Sequence, residues 1–156
     1  MTDEKKKEFT LRISQANRTA MVALTYEMTM EYLSDARAAS SIEEFEIAVK
    51  RAKRCVEQLR DVLNYDYNLS YHLMQIYNFV TIELDKAVYR RDPAEFEESE
   101  AILSKLREAF DNAAKQDDSP PLMKNAESVA VGLTYGRDGG SFDSLISGQI
   151  NRGFVV

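Results

Sequence analysis

His72 and Cys55 are the single histidine and the single cysteine among 156 residues that also carry 26 acidic and 20 basic side chains. A zinc site built on several histidines or cysteines has no ligands here, and the paired Glu-x-x-His arrangement of di-iron bundles has none either. A lone histidine on a helical bundle could carry a phosphoryl group, and a phosphotransfer bundle using His72 is the main alternative for the chain's chemistry. Leu73-Met74-Gln75-Ile76 follows it, however, without the lysine or small-residue signature of phosphotransfer domains. His72 is therefore expected to be a partly buried polar residue near a helix start. Cys55 falls on an apolar helical seam and reads as a small buried hydrophobe rather than a reactive thiol. One cysteine forms no intramolecular disulfide, which fits a reducing compartment. Gly136-Arg137-Asp138-Gly139-Gly140 lacks the flanking strand and helix of a phosphate cradle, and no Gly-x-Gly-x-x-Gly, P-loop or Gly-x-Ser-x-Gly occurs. No catalytic residue, metal or cofactor is expected.

Charge narrows the partner. The net charge of -6 speaks against nucleic acid, whose affinity for proteins comes largely from neutralised phosphates. Lys50, Arg51, Lys53, Arg54 and Arg60 form a basic cluster, but Glu46 lies four residues before Lys50 and Glu57 four after Lys53. A solvated helix face with helical ion pairs explains that pattern. Met1 to Lys7 is charged with no apolar stretch behind it, and no run approaches the roughly 18 apolar residues of a membrane span. The expectation is a cytoplasmic protein without membrane insertion, a monomer or weak homodimer, whose partner is another protein. Met21, Met28, Met30 and Met74, with Tyr26, Tyr32, Tyr71 and Tyr77, would suit recognition of an apolar helix; equally, they could simply fill the core.

These residues must be positioned by helices. Phe9, Leu11 and Ile13 alternate with polar residues, so a short apolar segment is expected to approach the first long helix without joining it. Asn17 caps that helix, and Met21, Leu24, Met28, Tyr32 and Asp35 or Ala36 make its stripe, apolar apart from Asp35. Ser41-Ile42-Glu43-Glu44 is a capping box opening the next, with Phe45, Ala48, Ala52, Cys55, Leu59 and Val62 inward and an end near Leu63. After the turn-prone Asn64 to Asn68, whose two tyrosines are expected to fold back onto neighbours, a third helix runs from about Leu69 to Arg91. Its stripe is Leu73, Tyr77 or Ile76, Val80, Leu84 and Ala87. Asp92-Pro93 stops it and opens the fourth, with Glu95 completing a box and Phe96, Ile102 or Leu103, Leu106, Phe110 and Ala113 inward. Short connections make neighbours antiparallel, so the fold expected over residues 1–116 is all-α: an antiparallel up-down four-helix bundle with an N-terminal lid segment. Residues 117–156 form a C-terminal extension, a short helix over 122–131 followed by a glycine-containing tail. Its apolar residues suggest that it docks in cis or in trans, and a self-associating helical adaptor is a further alternative.

Ile13-x-x-Ala16-Asn17 followed by Met21, Leu24 and Tyr26 resembles the entry motif of the flagellin-specific export chaperones, the FliS family. Leu69-Ser70 through Tyr77-Asn78-Phe79, Leu84, Ala87 and Asp92 is similar to that family's third helix, and Leu106 through Ala109-Phe110 to its closing Ala-Trp. The likeness covers residues 9–116 without a gap. Arg18 stands where the family has proline, Ala20 where it has a nearby glutamate, Thr25 precedes Tyr26, and Phe79 and Phe110 replace a tyrosine and the tryptophan. The resemblance implies a chaperone that binds the C-terminal segment of flagellin in the cytoplasm, prevents premature polymerisation and hands the subunit to the type III export gate. It also implies that the N-terminal segment occupies part of the groove in the free protein. The flagellin-binding residues it points to are Phe9, Ile13, Ala16, Tyr26, Leu69, Leu73 and Tyr77. The tail lies outside the likeness; its apolar residues would suit an intramolecular placeholder for flagellin in the same groove.

Overall fold

The computed structural model describes residues 1–123, and the structure is an all-α bundle of packed helices leading into a C-terminal extension. Five α-helices and one 3-10 turn are found among the described residues: α1 (Asp3–Gln15), α2 (Arg18–Arg37), α3 (Ile42–Asp61), α4 (Asn68–Arg90), the turn Pro93–Phe96 and α5 (Glu97–Ala114). α2 is the central element. It packs most extensively on α3 and α5, α3 packs on α4, and α1 lies along α2.

The N-terminal segment corrects the sequence reading. Residues 3–15 are themselves a helix, with Thr2 as N-cap accepting from the Lys5 amide and Asp3 and Glu4 in the first turn, where they favour the helix dipole. The alternation of Phe9, Leu11 and Ile13 is incidental to a four-residue step: Phe9 is buried, Ile13 packs against the core, and Leu11 between them is 39% exposed. Ala16 and Asn17 are extended and break the chain between α1 and α2. The Asn17 side-chain oxygen accepts from the Ala20 amide at 2.8 Å, so the expected cap is present.

Caps and seams elsewhere follow the sequence with small shifts, save that Ala113, expected inward on the last helix, is exposed. Ser41 Oγ accepts from the Glu44 amide, while the Glu44 carboxylate reaches the amide of Ser40 rather than that of the cap residue. α3 ends at Asp61, two residues before the expected Leu63. Arg91 closes α4 in the left-handed region at φ 56, and the Asp92 amide bonds back to the Ala87 carbonyl, a glycine-type helix end made by an arginine. Pro93 then starts a 3-10 turn, not the fourth long helix directly. Asp92 caps it through the Ala94 amide, and Glu95 pairs with Arg90 instead of completing a box.

Cross-helix contacts fix the relative directions of the helices. Between α2 and α5, Arg37 meets Glu100 at 3.0 Å and the ring of Tyr26 lies 5.5 Å from that of Phe110, so numbers rise on one helix as they fall on the other. α3 and α4 behave likewise, Lys53 meeting Asp85 at 2.7 Å and Arg60 meeting Asn78. One core joins all five helices, with Leu33, Ala52, Val56, Val80, Leu84, Phe96 and Leu103 fully buried within it. Cys55 is buried there as expected, whereas His72 is exposed on the outer face of α4, not partly buried. In the linker Tyr65 does fold back, onto Tyr71 with ring centroids 5.3 Å apart, but Tyr67 stays 66% exposed. The short helix expected over 122–131 and the glycine-containing tail fall almost wholly outside the described residues.

Candidate functional site

α1 is held on α2 by one deeply buried ring and a row of charges. Phe9 is the only large apolar side chain of α1 that is fully inside, and the Arg12 guanidinium lies 5.6 Å from its centroid. Arg12 also makes a two-pronged pair with Glu27, at 2.9 and 2.6 Å, and Lys5 pairs with Glu31. These hydrogen bonds to carboxylate hold the Arg12 and Lys5 pKa values above their ordinary range, partly offset by burial. The bidentate geometry fixes orientation as well as charge. Yet such pairs sit at the surface, where water and salt weaken them. α1 is therefore a cover on α2 held chiefly by the burial of Phe9 and the packing of Ile13, with the ion pairs setting its orientation and adding little net stability.

Beneath the bundle surface, Tyr26 of α2 and Tyr77 of α4 bring their hydroxyls together in a hydrogen bond, their rings 6.3 Å apart. Both side chains are essentially unexposed. Burial, above all, pushes both phenols above the normal tyrosine range, Tyr26 the further, because a phenolate there would lose its water.

The seven residues picked out by sequence divide clearly. Phe9, Ala16, Tyr26, Leu73 and Tyr77 belong to the buried core and Ile13 packs against it, so the structure brings these six into one cluster. Leu69, at 61% exposed, stands apart at the start of α4. Of the methionines and tyrosines weighed as a recognition surface, Met28, Tyr26, Tyr32 and Tyr77 are core, and Tyr71 is exposed. The expected pairing within α3 is half right. Glu46 does pair with Lys50, but Lys53 turns to Asp85 on α4 and not to Glu57.

Sequence reasoning missed the latch formed by Lys5, Arg12, Glu27 and Glu31. The signal was there in principle: two basic residues seven apart on one short helix, and two acids four apart on the next, a match visible only once the helices are known to lie side by side. It also missed a furrow between α2 and α3. One end is lined by Arg18, Met21, Val22, Thr25, Leu59 and Val62 and is touched by Leu122; the other, a cavity of about 250 Å³, is lined by Tyr32, Ile47, Lys50, Arg51, Arg54 and Cys55. Gln58 lines both. Among the described residues no cluster of His, Cys, Asp or Glu has a metal-holding arrangement, and no helix is long and apolar enough to cross a membrane.

A family model described as flagellar protein FliS matches residues 1–117, the whole of α1 included. No curated protein and no solved structure matches the chain.

Proposed function

We propose, because the chain belongs to the FliS family of flagellar proteins, that it binds the C-terminal segment of flagellin in the cytoplasm, keeps it from polymerising early and delivers it to type III export. Family membership supports a flagellin-chaperone role in general, and chaperones of this family are not enzymes. The observation that carries the finer reading is α1, a helix inside the family match that is fastened to α2 by one buried ring and surface ion pairs.

On this reading residues 1–116 are the chaperone domain, with α2 to α5 as an antiparallel up-down bundle and α1 as its lid. The opposed order of the cross-helix contacts supports that arrangement. Lifting α1 would break its ion pairs at small cost, expose the Phe9 ring at about 1.5–3 kcal/mol and uncover the apolar surface around Phe9, Ile13 and Ala16; Tyr26, Leu73 and Tyr77 are further candidates within the core. Leu69 offers apolar area at the start of α4 without any rearrangement. A flexible apolar segment of flagellin would then replace α1, folding as it binds, which tempers affinity and permits release at export. No nucleic acid and no cofactor enters the scheme, and the chain would act as a monomer or weak homodimer.

Calorimetric titration of the full chain with a synthetic peptide of the flagellin C-terminal segment tests this. One-to-one binding with a negative heat-capacity change is expected, since apolar surface is removed from water. Absence of binding heat across several temperatures would refute it.

A further inference from the structure

The start of the C-terminal extension is strapped across the corner between α1 and α2. The Asn17 side-chain amide donates to the Asp117 carbonyl at 2.8 Å, Thr19 donates to the Asp117 carboxylate, and the Leu122 amide donates to the Ala16 carbonyl at 2.9 Å. Hydrogen bonds from Ser119 and Thr19 hold the Asp117 carboxyl below the usual carboxylate range. The strap delivers Leu122 to the Arg18–Val62 end of the α2/α3 furrow, against Met21, Val22 and Leu59.

We infer that residues 124–135 of the same chain run on along this furrow, from Leu122 to the cavity between Tyr32 and Ile47, and that this seating anchors the strap over the α1–α2 corner. Three observations agree. First, the direction is set, because the chain enters the furrow at one end with Leu122 already in place. Second, the length fits: from Val22 to Tyr32 is ten residues of α2, about 15 Å at 1.5 Å each. Residues 124–135 cover that whether helical or extended, and Leu122, Ala126, Val129 and Leu133 step by four, three and four, giving one apolar face. Third, charge complements it. Arg54 and Arg51 border the far part of the furrow, and neither is in an ion pair with a described carboxylate, Arg51 lying instead 6.0 Å from the Tyr32 ring. Glu127 is the one acidic residue of the segment and lies about a third of the way along it, past the segment's one basic residue, Lys124. Ile47, 50% exposed beside those arginines, is the apolar wall that the segment would cover.

The test uses the full chain with Ile47 replaced by a photoreactive benzoylphenylalanine, and a second full chain with the same replacement at Ile82, which is 54% exposed on α4. After irradiation of dilute protein, peptides from residues 124–135 should be found joined to position 47 within monomers and not to position 82. Equal capture by the two positions, capture of tail peptides only in covalent dimers, or capture of none would each overturn the inference. Arg54→Glu in the Ile47-replaced chain should sharply reduce the cross-link, and an undiminished yield would refute the charge contribution. The inference does not depend on flagellin: failure to bind the flagellin peptide leaves the cross-link pattern unaffected, and the reverse holds equally.

Discussion

Replacing Tyr77 by phenylalanine removes a single oxygen, yet it should cost more than replacing both members of the buried pair. In Tyr77→Phe the Tyr26 hydroxyl keeps its place at 0% exposure with neither partner nor water, which costs about 1–3 kcal/mol. Tyr26→Phe should behave alike. Tyr26→Phe with Tyr77→Phe leaves two rings of nearly the same shape and no orphan, so its loss should fall below that of either single variant and be nearly neutral. The same pair predicts a pH dependence. Both phenols are raised in the folded state, first by burial, so their contribution is fully present below the ordinary tyrosine pKa of about 10 and is lost as pH rises above it. There the unfolded phenols ionise and the folded ones do not, and stability should fall by about 1.4 kcal/mol per pH unit for each. Urea unfolding followed by circular dichroism at pH 7, and again between pH 9 and 11, measures both effects. Additive single costs, or an alkaline slope that the double variant shares with the parent, would show that the two hydroxyls are not a dry, mutually satisfied pair.

The lid makes a second prediction: Arg12→Ala should loosen α1 by about 0.5–1 kcal/mol, read as faster amide exchange over residues 3–15 with little change in the midpoint of global unfolding. Added salt should have a similar effect on the parent and a smaller one on the variant. At the end of α4, Arg91→Gly should stabilise the protein by about 0.5–1 kcal/mol by relieving the left-handed backbone, whereas Arg91→Val should destabilise it by about 1 kcal/mol or more. Thermal unfolding distinguishes the two signs.

Most of the helical frame was legible because its signals are local. The Ser41 cap, the Asp92-Pro93 stop and the seam from Phe45 to Leu59 each depend on residues within a turn or two of one another. The segment before α2 is separate from it, as expected, but its own helical form was not foreseen: the step from Phe9 to Ile13 serves a helix as well as an alternating segment, and only the exposure of Leu11 tells them apart. The rest was hidden because it is made between elements. Lys53 has a suitable acid four residues away and still chooses Asp85, since α4 brings that carboxylate closer than the helix's own next turn. The strap joins residues a hundred positions apart, and no periodicity records it.

Asn17 does two jobs with the two ends of one amide. Its oxygen starts α2, and its nitrogen holds the returning C-terminal segment at Asp117. Aspartate or serine would serve the first job, but aspartate has no proton to give and serine is too short to reach in both directions. The position thus uses two opposed polarities carried roughly 2.3 Å apart on one planar group, the separation of amide oxygen and nitrogen. Helix initiation and chain closure are in this way tied to a single side-chain rotamer: when the amide turns over, both are lost together.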